Sequence, residues 1–114
     1  MIRYDNNFSN INAVEAAIES IPKTIEFQGM SKDVVRLYSD ISLHCDAIVG
    51  YASWYVRRAT PSFAENPFVP DKLWSRLEEL ESQVESPVDK HGLNKARELA
   101  EFTNKLASLM FKFD

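Results

Sequence analysis

The fold class is decided by residues 31–61, which read SKDVVRLYSDISLHCDAIVGYASWYVRRATP. Apolar side chains recur in this stretch at the helical angle of about 100° per residue, so they form one stripe along one side of a helix. This inner stripe consists of Val34, Leu37, Tyr38, Ile41, Cys45, Ile48, Val49, Ala52, Tyr55 and Val56. Ser31 is a favourable N-cap residue, and Thr60 should end the helix because a residue before proline avoids the α region. We therefore predict one long helix whose inner stripe is the main contribution to the core.

Three further segments have helical spacing. Ser86 and Pro87 are typical of an N-cap followed by a first-turn proline, so a helix is expected to begin there. The stretch 23–30 and the proline-rich linker 60–70 interrupt the periodic pattern and are predicted to be loops, with Phe63 and Phe68 packing the linker onto the bundle. The sequence thus predicts an all-α four-helix bundle forming a single domain over residues 1–114: a short first helix ending before Pro22, a long second helix at about 32–59, a third at about 71–85 and a fourth at about 87–112.

Composition limits the class of protein. The chain has 114 residues, a net charge of -4 and 45% hydrophobic residues, which is typical of one globular domain. An acidic chain lacks the excess of lysine and arginine that neutralises phosphates, so nucleic acid is an unlikely partner. The start of the chain is polar, and no apolar run is long enough for a signal peptide or a membrane span. With Cys45 as its one cysteine, we expect a cytoplasmic protein with a reduced thiol.

A second apolar stripe lies on the side of the long helix opposite the inner stripe. Leu43, Ala47, Gly50 and Trp54 follow one another at intervals of four, three and four residues. Small residues let another backbone approach closely, and tryptophan is enriched among the residues that dominate binding energy at interfaces. The second stripe is either a groove for a partner, including a second copy in a homodimer, or a surface that the first helix or the linker covers.

Two charged segments accompany this stripe as candidate binding residues. Residues 51–58 read YASWYVRR, where Tyr51 and Trp54 are followed within one or two helical turns by Arg57 and Arg58. Aromatic and arginine side chains together can stack on single-stranded nucleic acid or bind acidic groups, although two arginines at a helix C-terminus also complement the helix dipole. The third helix carries an acidic edge, which is either a docking surface for a basic protein or a solvated face. The acidic edge consists of Glu78, Glu81 and Glu85, on the same side as Trp74.

The glutamates also permit an enzyme hypothesis. Glu78 with Glu81 and Glu98 with Glu101 form two E-x-x-E pairs on consecutive helices. This pattern resembles that of the all-helical nucleotide pyrophosphohydrolases of the MazG type, and the resemblance implies four carboxylates that hold Mg²⁺ for phosphoanhydride hydrolysis. The second pair ends in glutamate where that family has aspartate, and i, i+3 glutamates also arise as solubilising charge.

Other catalytic constellations are not supported by spacing. Asp40 and His44 share a helix face, but Cys45 is about 100° away, and a four-coordinate metal site lacks further ligands. We therefore expect no metal, no cofactor and no enzymatic activity. The best hypothesis is a small acidic protein that binds another macromolecule and occludes its surface, as inhibitors, immunity proteins, antitoxins, anti-defence proteins and adaptor subunits do. A Mg²⁺-dependent pyrophosphohydrolase and a small nucleic-acid-binding subunit are the alternatives.

Overall fold

The four predicted helices are confirmed in a computed structural model, which describes residues 2–62 and 66–113. Two short strands that the sequence did not predict form a small antiparallel sheet. In chain order the elements are β1 (Ile2–Tyr4), α1 (Ile11–Glu19), α2 (Lys32–Val56), α3 (Asp71–Gln83), α4 (Pro87–Met110) and β2 (Phe111–Phe113). The described residues therefore form an all-α bundle closed at one end by a two-stranded sheet.

The bundle is built around α2 and α4, which pack against each other more extensively than any other pair of elements. The two helices are parallel, because the backbone N–H of Ser31, at the start of α2, donates to Oδ1 of Asp89 in the first turn of α4 (2.8 Å). Helix α3 runs antiparallel to α2: Pro67 before α3 lies at the level of His44, and Arg76 within α3 pairs with Asp40. Helices α1 and α3 each contact both central helices.

The core consists of two clusters at opposite ends of the central pair. The first lies between the amino-terminal halves of α2 and α4 and is completed by Leu73 and Leu77 of α3. The second lies at the other end, where Val14 of α1 and Phe111 of β2 pack against the carboxy-terminal half of α2. Both clusters use the inner stripe of α2. Eight residues of this stripe are buried, as its spacing predicted, and α4 contributes nine buried residues, so the two helices together provide most of the core. The buried residues of the stripe are Val34, Leu37, Tyr38, Ile41, Cys45, Ile48, Ala52 and Tyr55.

The buried Gly92 sets how closely α2 and α4 approach each other. A Cβ atom at this position would lie 2.8 Å from both Met30 Sδ and Val34 Cγ1. From the sequence alone, Gly92 is expected only to weaken the first turn of the fourth helix. In the structure it leaves the space in which the side chains at the start of α2 pack.

Helix ends differ from the predicted bounds by two or three residues. Helix α2 ends at Val56 instead of residue 59, because Arg58 adopts a left-handed φ of 57° and its N–H bonds back to the Tyr55 carbonyl (2.9 Å). Helix α3 ends at Gln83 instead of residue 85. Helix α4 ends at Met110 instead of residue 112, because the chain leaves it to pair with the amino terminus.

The β pairing joins the two ends of the described chain. Ile2 lies opposite Phe113, Arg3 opposite Lys112 and Tyr4 opposite Phe111. The backbone N–H of Asp5 continues the contact by donating to the Met110 carbonyl (2.7 Å). A strand of three residues gains its hydrogen bonds only from its partner, so neither strand has a local pattern that predicts it.

Asp5 anchors the amino-terminal segment to α2. Its carboxylate accepts hydrogen bonds from the Tyr55 hydroxyl (2.7 Å), from the Ser9 backbone N–H (3.0 Å) and hydroxyl (2.7 Å), and from the Asn7 backbone N–H (3.1 Å). Burial alone would raise the pKa of Asp5, but these donors outweigh it and lower the pKa from 3.8 to about 2. The buried carboxylate is therefore held in its charged form.

The connecting segments agree with the predicted loops where they are described. The stretch 23–30 contains no strand, and Ile25 and Phe27 pack against the first core cluster. In the linker, Phe68 packs against the second cluster, as predicted, whereas Phe63 lies outside the described residues. Within the described ranges, none of the helices is both long and apolar enough to cross a membrane.

Two glycine substitutions should change stability in opposite directions. Gly92→Ala should lower the free energy of unfolding by about 1–2 kcal/mol, because the new methyl group overlaps Val34 in the core. Gly50→Ala should raise it by up to about 1 kcal/mol, because no atom lies within 4 Å of a Cβ at this exposed helical position. Urea unfolding of both variants measures the difference; equal effects would contradict the packing described for Gly92.

Acid should remove the contribution of Asp5. Its pKa is lower in the folded protein (about 2) than its ordinary value of 3.8, so the stabilisation is complete above about pH 4 and is lost as the pH falls toward 2. Asp5→Asn should therefore destabilise the protein by roughly 2 kcal/mol at pH 7 and by progressively less between pH 4 and 2. Glu15→Gln, which removes an exposed carboxylate on α1, is the control. A gap between wild type and Asp5→Asn that does not depend on pH would show that the charge is not the stabilising feature.

Candidate protein-binding face

The second stripe of α2 is exposed. Leu43 exposes 72% and Trp54 49% of its surface, and Ala47 and Gly50 between them are also exposed. We call these four residues the outer face. The alternative in which the first helix or the linker covers the stripe is therefore wrong for the described residues.

Helix geometry explains why the outer face stays open. Residues of the inner stripe project toward α4, and α1 and α3 lie against both central helices. At about 100° per residue the outer face is centred opposite the inner stripe, away from these contacts. One side of a 25-residue helix is thus left without a covering element among the described residues.

Aromatic residues line one flank of the outer face. Nε2 of His44 lies 2.8 Å from the Pro67 carbonyl oxygen, and the ring of Tyr51 meets that of Phe111 edge-on at 5.9 Å. Phe113 stacks on Phe68 at 5.3 Å and still exposes 69% of its surface. Tyr51 is therefore in contact with β2 through Phe111, and Phe113 is a further exposed aromatic side chain on β2.

The orientation of Trp54 is fixed by its neighbours. The Arg57 guanidinium lies 5.8 Å from the centre of the indole ring, and its Nη2 donates to the Ser53 hydroxyl (3.1 Å). Arg58 turns away from the helix with its left-handed backbone and lines a shallow cavity at the start of α1. The two arginines therefore project from different places, and Arg57 is held against α2.

The acidic edge lies on a different flank of the bundle from the outer face. Arg97 of α4 donates to both carboxylate oxygens of Glu81 (2.6 and 3.0 Å) and stacks over Trp74 at 5.8 Å. The hydrogen bond to Glu81, together with nearby Glu101 and Glu78, raises the pKa of Arg97. This flank of α3 faces α4, whereas the opposite flank faces α2 through the Arg76–Asp40 pair.

The predicted partner-binding residues are thus divided between two surfaces. Leu43, Ala47, Gly50 and Trp54 lie together on α2, with Tyr51 and Arg57 at the margins. Trp74 is half-buried beneath Arg97. Glu78 and Glu81 are exposed on the flank of α3 that faces α4, and Glu85, predicted to lie on the third helix, is exposed after the end of α3. From the sequence we expected all of these residues to contribute to partner binding, because the pattern does not indicate which side of α3 packs against α2.

The carboxylates of the enzyme hypothesis contact cations of the protein itself. Glu81 pairs with Arg97, and Glu98 pairs with Lys95 at 3.3 Å. In residues 2–62 and 66–113, histidine, cysteine, aspartate and glutamate side chains do not form a group of three or more that could hold a metal ion.

The Asp40, His44 and Cys45 group is likewise engaged in structural contacts. Asp40 binds Arg76, and His44 binds the Pro67 carbonyl. Cys45 is buried, and that burial raises the pKa of its thiol, which keeps it protonated and unreactive.

Two charged positions next to the outer face were not predicted to belong to a site. Asp40 continues the line of the outer face toward the start of α2, and its side chain is 45% exposed. Asp46 is exposed on the same flank as Ser53 and Arg57. The three-residue spacing of Asp40 from Leu43 indicates that the two residues lie on neighbouring parts of one helix side, but the apolar pattern that predicted the face does not include Asp40.

The exposure of the outer face gives it a small role in stability. Leu43→Ala should change the free energy of unfolding by less than about 0.5 kcal/mol, because the side chain is mostly solvated. Leu37→Ala, the same substitution about two turns earlier on the buried side of α2, should cost about 2–5 kcal/mol. Chemical denaturation measured at low protein concentration compares the two. A large loss for Leu43→Ala would mean that the outer face is packed against the chain itself.

Comparisons with known proteins do not identify a relative of this chain. Neither a protein-family model, nor a curated protein, nor a solved structure matches it. Its function is therefore inferred from the exposure, charge and spacing of its own side chains.

Proposed function

We propose that this protein is a non-enzymatic binding protein that contacts another protein chain through the outer face of α2 and acts by occluding the surface that it covers. The observation that carries the proposal is the exposure of Leu43 and Trp54 on either side of Ala47 and Gly50. The free energy falls when a partner removes exposed apolar side chains from water, so an exposed apolar helix face favours binding.

The chemistry of the outer face favours a helical partner. Ala47 and Gly50 leave a shallow depression in the middle of the face, and a Cβ atom at Gly50 would meet no atom within 4 Å. A second helix can approach closely at such small residues, while the larger side chains on either side pack against it. Trp54, oriented by Arg57, supplies a rigid aromatic anchor.

The acidic edge supports this binding without forming part of the contact. Glu78 and Glu85 are exposed, and the chain as a whole has a net charge of -4. Charge of one sign raises the association rate of an oppositely charged partner even when it lies outside the contact. High salt should therefore lower the association rate of a basic partner more than it lowers the affinity.

Gly50→Arg tests the proposal, because it places a long charged side chain in the centre of the outer face without touching the core. Immobilised wild-type protein should retain a specific protein from an extract of cells that express it, and Gly50→Arg should retain at least tenfold less, by quantitative mass spectrometry. Ser75→Arg adds the same side chain at an exposed site on α3 and should bind like wild type.

Thermal unfolding followed by circular dichroism should show that all three proteins are folded. If Gly50→Arg retains the same proteins in the same amounts as wild type, the outer face is not the binding surface and the proposal fails.

A further inference from the structure

We propose that the chain bound by the outer face is a second copy of this protein, docked antiparallel about a two-fold axis that passes between residues 48 and 49. This inference rests on the proposed function, because it names the partner of the same face. The acidic edge takes no part in it, since a second copy carries the same net charge of -4. It is based on the order of side chains along α2, which is self-complementary when one helix is reversed against another.

The apolar residues of the outer face are arranged symmetrically by size. Leu43 and Trp54 are equally distant from the midpoint of the face, and so are Ala47 and Gly50. A two-fold axis at this midpoint places Leu43 against Trp54 of the second copy and Ala47 against its Gly50. The small residues meet in the centre, where the backbones approach, and each large residue packs against a large residue beside them.

The charged residues at the two ends obey the same symmetry. Asp40 and Arg57 are also equally distant from the midpoint. Asp40 already pairs with Arg76 of α3 (2.8 Å), but its side chain stays 45% exposed, and Arg57 is exposed as well. The spacing from Asp40 to Arg57 follows the three- and four-residue intervals of coiled-coil seam positions. An antiparallel pair therefore places Asp40 against the Arg57 of the other chain at both ends, whereas a parallel pair would bring like charges together.

A second carboxylate on the flank adds to this complementarity. Asp46 lies on the same flank of α2 as Ser53, the residue that holds the Arg57 guanidinium (3.1 Å). In an antiparallel two-fold pair, equivalent flanks face each other, so Asp46 lies close to the level of the guanidinium of the second copy. Asp46 therefore adds a second negative charge near the Arg57 of the opposite chain.

The size of the contact predicts a reversible dimer. The segment from Asp40 to Arg57 is about 26 Å long at 1.5 Å per residue. A single helix pair of this length buries less surface than a standard stable interface, so the dissociation constant should be on the order of micromolar. The dimer therefore dissociates within an accessible range of protein concentration.

A charge exchange between chains tests the orientation directly. In sedimentation equilibrium, wild type should approach twice the 13.1 kDa of one chain at high concentration. Arg57→Glu alone places a glutamate opposite Asp40 at both ends, and Asp40→Lys alone places a lysine opposite Arg57; each should weaken dimerisation at least tenfold. An equimolar mixture of the two variants pairs opposite charges at both ends and should restore dimers. Lys105→Glu, which changes the net charge by the same amount as Arg57→Glu but lies on α4, should dimerise like wild type.

The outcomes separate this inference from the proposed function. A wild type that stays monomeric at millimolar concentration, or variants that do not regain dimers when mixed, would overturn the antiparallel homodimer. Loss of a captured protein by Gly50→Arg would still support binding of a different chain. If Gly50→Arg dimerises like wild type, the dimer contact lies outside the outer face and the antiparallel homodimer fails, while the capture experiment still decides whether the outer face binds another chain.

Discussion

The packing of α2 against α4 is the interaction on which the rest of the structure depends. It is close because Gly92 leaves room for Met30 and Val34, and both core clusters form along it. Helices α1 and α3 fill opposite ends of this pair, and the Asp5–Tyr55 hydrogen bond attaches the amino-terminal segment to it. Since the buried side of α2 is used along its whole length, the outer face is left as an apolar surface in water.

The same helix therefore has two separate roles. Its inner stripe stabilises the fold, and its outer face is available for association because it contributes little to the folded chain. Under the proposed function, substitutions on the outer face should change binding and leave the core intact. The acidic edge belongs to another flank, where the Arg97–Glu81 pair joins α3 to α4.

Local signals predicted the helices, and contacts distant in sequence determined what the prediction missed. Ser31 and Ser86 cap their helices as expected, with side chains that accept from Val34 and Asp89. The predicted end of α4 was wrong because Phe111 pairs with Tyr4, a partner that no local pattern indicates. The spacing of Leu43 and Trp54 predicted that they share a face, but not its exposure, since that depends on where α1 and the linker pack. The role of Gly92 likewise depends on a neighbouring helix.

A dilution series followed by amide NMR tests whether the outer face of α2 binds a second copy of the chain. As the protein concentration rises, the amide signals of Leu43, Ala47, Gly50 and Trp54 should shift together along one binding curve. Signals from Glu78 to Glu85 should remain unchanged. The account would be contradicted if the concentration-dependent shifts mapped to the acidic edge, or if the outer face showed no shifts up to millimolar concentration.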